Sequence, residues 1–81
     1  MTFEELRKGS QFHKVKEHDS GGGFTIYPAD QKDEECLQRF HEIVDDADQI
    51  VSGSGYKLHL TNKSTSDPKG RSNIAIFLPV D

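Results

Sequence analysis

The strongest periodic signal in the chain is Asp30-Gln31-Lys32-Asp33-Glu34-Glu35-Cys36-Leu37-Gln38-Arg39-Phe40-His41-Glu42-Ile43-Val44-Asp45-Asp46-Ala47-Asp48-Gln49-Ile50-Val51. Cys36, Phe40, Ile43, Ala47 and Ile50 recur at three- and four-residue intervals, with Leu37, Val44 and Val51 beside them. At about 100° per residue these side chains fill one stripe of an α-helix. Gln38, Glu42, Asp45, Asp46 and Gln49 occupy the other side. Asp30 reads as the N-cap, and Asp33, Glu34 and Glu35 suit the positive end of the helix dipole. Ser52-Gly53-Ser54-Gly55 stops the helix. A long helix with one apolar stripe must bury it against another layer.

The flanking segments supply that layer. Gln11–Glu17 reads as a strand, with Phe12 on one side and His13 and Val15 on the other. Asp19-Ser20-Gly21-Gly22-Gly23 breaks the chain into a hairpin. Phe24–Ala29 then alternates, Phe24 and Ile26 against Thr25 and Tyr27, with Pro28 marking a strand end or sheet edge. Beyond the helix, Tyr56–Lys63 sets Tyr56, Leu58 and Leu60 against Lys57, His59, Thr61 and Lys63. Ser64–Ser72 is a polar connection. Asn73–Val80 is apolar on both sides (Ile74, Ile76, Leu78 and Val80 against Ala75 and Phe77), which predicts a central strand. At the N-terminus, Thr2 and Glu5 have capping-box spacing, Phe3 and Leu6 share a side, and Gly9 offers a stop, so Thr2–Lys8 reads as a short helix.

The expected architecture is an α+β two-layer sandwich. A short N-terminal helix is followed by ββαββ, and one long amphipathic helix lies on one face of a four-stranded antiparallel sheet. The stripe is expected to cover Phe24, Ile26, Leu58, Leu60, Ile74, Ile76 and Leu78. The opposite face would then present Thr25, Tyr27, Lys57, His59, Thr61, Lys63, Ala75 and Phe77.

Eighty-one residues suit one domain spanning 1–81. Nineteen are Leu, Ile, Val or Phe, enough for a small core only because they are concentrated in these segments. The apolar run Ile74–Val80 is too short for a bilayer, and the first residues lack the pattern of a secretory signal. Cys36 alone forms no internal disulfide. The expected setting is the reducing cytoplasm, with no membrane role. The net charge of −4 is unevenly placed. Residues 30–51 hold eight acids and two bases, net −6, so the remainder is +2.

No motif calls for a cofactor or a metal. Cys36 and His41 are five apart and diverge by about 140° around a helix. His13 and His59 could meet only on neighbouring strands, and two ligands fall short of a structural zinc site. Asp45, Asp46 and Asp48 lack the spacing of a calcium loop. Cys36 reads as core, and His41 as a boundary residue with one wet nitrogen. Ser64–Ser72 combines hydroxyls, a glycine and two bases, a composition able to hold an anion, but the favoured reading is a hairpin tip. Asn62-Lys63-Ser64 matches a glycosylation sequon, which has no meaning without secretion.

The expected function is therefore binding without catalysis, with another protein as partner. One candidate surface is the acidic helix face, Glu42, Asp45, Asp46 and Asp48; the other is the open sheet face, Tyr27, Lys57, His59, Thr61, Lys63 and Phe77. Small acidic single-domain inhibitors and immunity-type proteins are analogues by class. Self-association into a homodimer would give Phe77 and Tyr27 cover. The alternative is a single-stranded RNA- or DNA-binding module, with rings stacking on bases and lysines following phosphates, although the negative net charge opposes it. A third reading, a small hydrolase centred on His59, rests on His59-Leu60-Thr61. That is half of a two-histidine phosphoesterase signature, and the chemistry needs one histidine as base and another as acid.

Overall fold

The computed structural model describes residues 1–19, 21–60 and 73–80. The elements are α1 (Phe3–Lys8), β1 (His13–Glu17), β2 (Phe24–Pro28), α2 (Glu34–Val51), β3 (Tyr56–Leu60) and β4 (Ala75–Pro79). The strands form one antiparallel sheet in the order β1-β2-β4-β3. The helix α2 lies against β2 and β3, spanning the strand between them. This is the α+β two-layer arrangement that the periodicities predict. β4 is central, as its two apolar sides require. β2 is central as well, and Pro28 is tolerated because it falls at the strand's last position, where its register partner is His13 of β1.

Local chemistry sets the helix ends. α2 starts one turn later than Asp30 suggests. Asp33 is the N-cap, and its Oδ1 accepts from the N–H groups of Glu35 at 3.0 Å and Cys36 at 3.4 Å. Asp30 instead accepts from the Lys32 N–H at 2.9 Å, closing a turn ahead of the helix. Two aspartates three residues apart thus make two consecutive turns, and only the second opens the helix. α1 begins as its spacing predicts, with the Thr2 hydroxyl accepting from the Glu5 N–H at 3.3 Å.

The core lies on one side of the sheet. Phe24, Phe77 and Leu58 occupy one cross-strand row, and Ile26 and Ala75 pair in the next. The Phe24 and Phe77 rings stack 4.7 Å apart at 14°, both fully buried. Phe40, Val44, Ala47 and Val51 of α2 close over them. The short helix α1 joins the same side. Leu6 is fully buried in this cluster, and the Phe3 ring packs on Phe24 and Tyr56 at 6.0 and 5.5 Å. A two-turn helix has little stability of its own, so these contacts hold it.

Arg7 completes the attachment of α1. Its guanidinium lies 5.3 Å from the Phe24 ring centre and 5.2 Å from that of Tyr56. It donates to the Tyr56 hydroxyl at 2.8 Å and to both Glu17 carboxylate oxygens at 3.1 and 3.2 Å. Those hydrogen bonds hold the Glu17 carboxyl below its ordinary range and raise the Arg7 guanidinium above its own. The ion pair is exposed and screened. Its role is geometric, linking both sheet edges, β1 and β3, to one side chain.

One expectation is reversed. Ile74, Ile76 and Leu78 were to lie under the helix, with Ala75 and Phe77 outside; the structure places Ala75 and Phe77 in the core, both fully buried. Ile76 is half-buried on the other side, and Leu78 is 38% exposed. A strand apolar on both sides satisfies either orientation, and a one-residue slip exchanges its faces. Pairing with β2 makes the choice, because the row containing Phe24 admits Phe77 as its neighbour. Gly23 reinforces that register. It has φ +90°, and a Cβ there would come within 2.5 Å of the Phe77 carbonyl oxygen. Phe77→Ala should therefore cost about 3–5 kcal/mol in urea unfolding, while Leu78→Ala should stay within about 0.5 kcal/mol of wild type. Equal losses, or the reverse order, would contradict this assignment of faces.

Candidate functional site

Both helices pack on one side of the sheet, so among the described residues no helix covers the other. The uncovered side is built in cross-strand rows. Lys16, Thr25, Ile76 and His59 form one row from β1 to β3. Lys57 pairs with Leu78, and Lys14 with Tyr27. The two central strands thus contribute Thr25, Tyr27, Ile76 and Leu78, and the two edge strands Lys14, Lys16, Lys57 and His59. The three lysines and His59 are exposed, while Tyr27, Thr25 and Ile76 are half-buried. His18, just past β1, places its Nε2 2.7 Å from the Thr25 hydroxyl. Aliphatic and aromatic surface runs along the middle, with bases on both flanks.

The electrostatics follow from the layering. Among the described residues, this side of the strands carries three lysines and no acid. Glu17, the acid within β1, lies on the helix side, where Arg7 holds it. Glu42, Asp45, Asp46 and Asp48 are exposed on α2, with Arg39 donating to Glu42 at 3.4 Å. The basic sheet face and the acidic helix face are therefore opposite surfaces of one molecule, not parts of one site.

Of the sheet-face residues singled out from sequence, Tyr27, Lys57 and His59 do share the uncovered side. Phe77 does not, because its ring is in the core against Phe24. Thr61 and Lys63 lie outside the described residues, as do the 64–72 connection and its candidate anion site. Lys14, Lys16, Ile76 and Leu78 were missed. The alternation of Lys14 and Lys16 about Val15 was a signal for the first two; the strand order was needed to place them beside Tyr27.

The titratable groups read from sequence occupy separate places. His13 points to the helix side of edge strand β1 and His59 to the open side of the opposite edge β3, so they do not meet. His41 is more buried than expected, with its Nε2 2.9 Å from the Asn73 Oδ1. The buried Cys36 thiol donates to the Phe12 carbonyl at 3.4 Å and accepts from the Asp30 N–H at 3.4 Å, a structural role. Among the described residues no three His, Cys, Asp or Glu side chains gather to hold a metal ion. Compared with protein-family models, curated proteins and solved structures, the chain matches none. No described helix is long and apolar enough to cross a membrane.

Burial changes the acid–base behaviour of His13. It is fully buried, with Nε2–H donating to the Leu6 carbonyl at 3.0 Å and Nδ1 accepting from the Ser10 hydroxyl at 2.7 Å. Burial disfavours the imidazolium and lowers the pKa from 6.5, and the Leu6 carbonyl opposes this only in part. The unfolded chain thus binds the proton more readily. The resulting stability is fully present above pH about 6.5 and is lost as pH falls through the lower folded value. Urea midpoints should decline on acidification through that window, and His13→Gln should flatten this part of the profile. An unchanged slope in the variant would show that other groups set it.

Proposed function

We propose that this chain is a small non-catalytic binding domain that engages another protein through its uncovered sheet face. One observation carries the reading: Ile76 and Leu78 are on the uncovered side with Tyr27, between lysines on both edges. An apolar centre within a charged rim is the anatomy of a protein interface. A partner with an apolar centre and an acidic rim is complementary to it, and opposite charges favour encounter and selectivity. Two copies meeting face to face would bring Lys14, Lys16 and Lys57 against like charges, so this surface favours a different chain over a second copy.

The alternatives draw less from the geometry. A single-stranded nucleic acid needs several rings to stack on, and with Phe77 in the core Tyr27 is the one Phe or Tyr ring that the described strands present outward, with the His59 imidazole two strands away. The acidic face of α2 adds repulsion. His59 faces outward opposite Ile76, an apolar neighbour that supplies neither a proton relay nor a nucleophile.

The test compares protein captured from a nuclease-treated host lysate by three baits, each first shown folded by circular dichroism. Wild type and the Asp45→Lys/Asp46→Lys/Asp48→Lys variant should retain the same protein, identified by mass spectrometry, and Leu78→Asp should lose it. Retention by Leu78→Asp with loss by the helix variant would transfer the function to the acidic face. Capture abolished by nuclease in every case would replace the protein partner with a nucleic acid.

A further inference from the structure

We infer that the element received by the uncovered face is an amphipathic α-helix with acidic residues on both flanks of its apolar stripe, laid along the central strands. The inference rests on the sheet-face reading above and specifies the partner's chemistry.

The dimensions of the face support it. Neighbouring strands are about 4.8 Å apart, so the outward rows of β1 and β3, three spacings apart, are separated by about 14 Å. A helix with its side chains is about 10–12 Å across. Seated over β2 and β4, it would contact Tyr27, Ile76 and Leu78 with its apolar stripe. Its two flanks would then reach Lys14 and Lys16 on one side and Lys57 and His59 on the other. A five-residue strand covers about 17 Å, the length of a helix of about eleven residues. Three turns provide three or four apolar anchors at i, i+3, i+4 and i+7, the pattern of helix-in-groove recognition.

The charge placement favours a helix over an added strand. A strand joining either edge would bond to backbone groups at β1 or β3 and would leave Ile76 and Leu78, on central β4 and its outward face, uncovered. A helix covers them and matches bases on both sides at once. The chain already solves the same problem on its other face, where α2 lies against β2 and β3. A second helix on the bare side would complete a three-layer α/β/α sandwich.

The test uses two synthetic eighteen-residue peptides and an oligothymidylate. Both peptides carry leucine at i, i+3, i+4 and i+7; one has glutamates on both flanks of that stripe and the other lysines. Backbone amide shifts and peptide helicity are measured on titration into the folded protein. The glutamate peptide should gain helicity and shift the amides of Lys14, Lys16, Tyr27, Lys57, Ile76 and Leu78, and the lysine peptide should not. Lys14→Glu/Lys16→Glu/Lys57→Glu should weaken the glutamate peptide roughly tenfold, as three exposed ion pairs allow, and should gain binding of the lysine peptide. Recovery by the swapped peptide separates charge recognition from misfolding. Shifts confined to α2, equal binding of both peptides, or saturation by oligothymidylate alone would overturn the inference. Failure of the peptides with Leu78-dependent capture intact would remove the helix and leave the sheet-face reading standing; failure of both would remove both.

Discussion

The stacked pair of Phe24 and Phe77 is the contact on which the rest of this structure depends. It places two large rings in one cross-strand row at the centre of the sheet, under Phe40 and Val44 of the long helix. Once that row is set, alternation along β2 and β4 assigns every other side chain in them to a face. Ile26 and Ala75 go inward with the rings; Thr25, Tyr27, Ile76 and Leu78 go outward. Gly23 lies at the mouth of the β1–β2 hairpin beside the Phe77 backbone, where no side chain fits. Core packing and hairpin backbone therefore select the same register.

Collecting both helices on one side follows from where the aromatic surface lies. Phe3, Phe24 and Tyr56 meet as three rings, and Arg7 caps two of them while binding Glu17. α1 has only Phe3 and Leu6 to bury, and both go into the cluster that α2 already covers. Among the described residues, one side of the sheet is well filled and no helix covers the other. The acidic surface accompanies α2, and the basic residues of the described strands are left on the bare side. This separation puts the lysines of the described strands and the acids of α2 on opposite faces of the sheet, the contrast on which the proposed binding role rests.

His13 belongs to the filled side. Its imidazole ties the last turn of α1, through the Leu6 carbonyl, to Ser10 and β1. It is thus a support for the N-terminal helix, distinct from the exposed His59 on the opposite edge and face. Similarly, Cys36 and His41 join the first half of α2 to other segments, Cys36 to Asp30 and Phe12 and His41 to Asn73 before β4. Polar side chains of chemically versatile types therefore serve to position elements in this fold.

Local sequence by itself determined the elements and their class. The helical spacing from Cys36 to Val51, the Thr2–Glu5 cap, the glycine run before Phe24 and the alternation in Tyr56–Leu60 each state a local preference, and the fold honours them. Aspartates at 30 and 33 are both good caps, so only neighbouring backbone geometry could choose between them. Strand order, and the orientation of a strand apolar on both sides, were decided by tertiary structure alone. Ile74–Val80 contains no polar residue to say which side is wet, and its faces are chosen by long-range pairing with Phe24 and Leu58. For the same reason the site was legible only in part. Tyr27, Lys57 and His59 could be read from alternation within their own strands. Phe77 was misplaced, and Ile76, Leu78, Lys14 and Lys16 went unrecognised, because a shared face is a property of the register between strands distant in the chain.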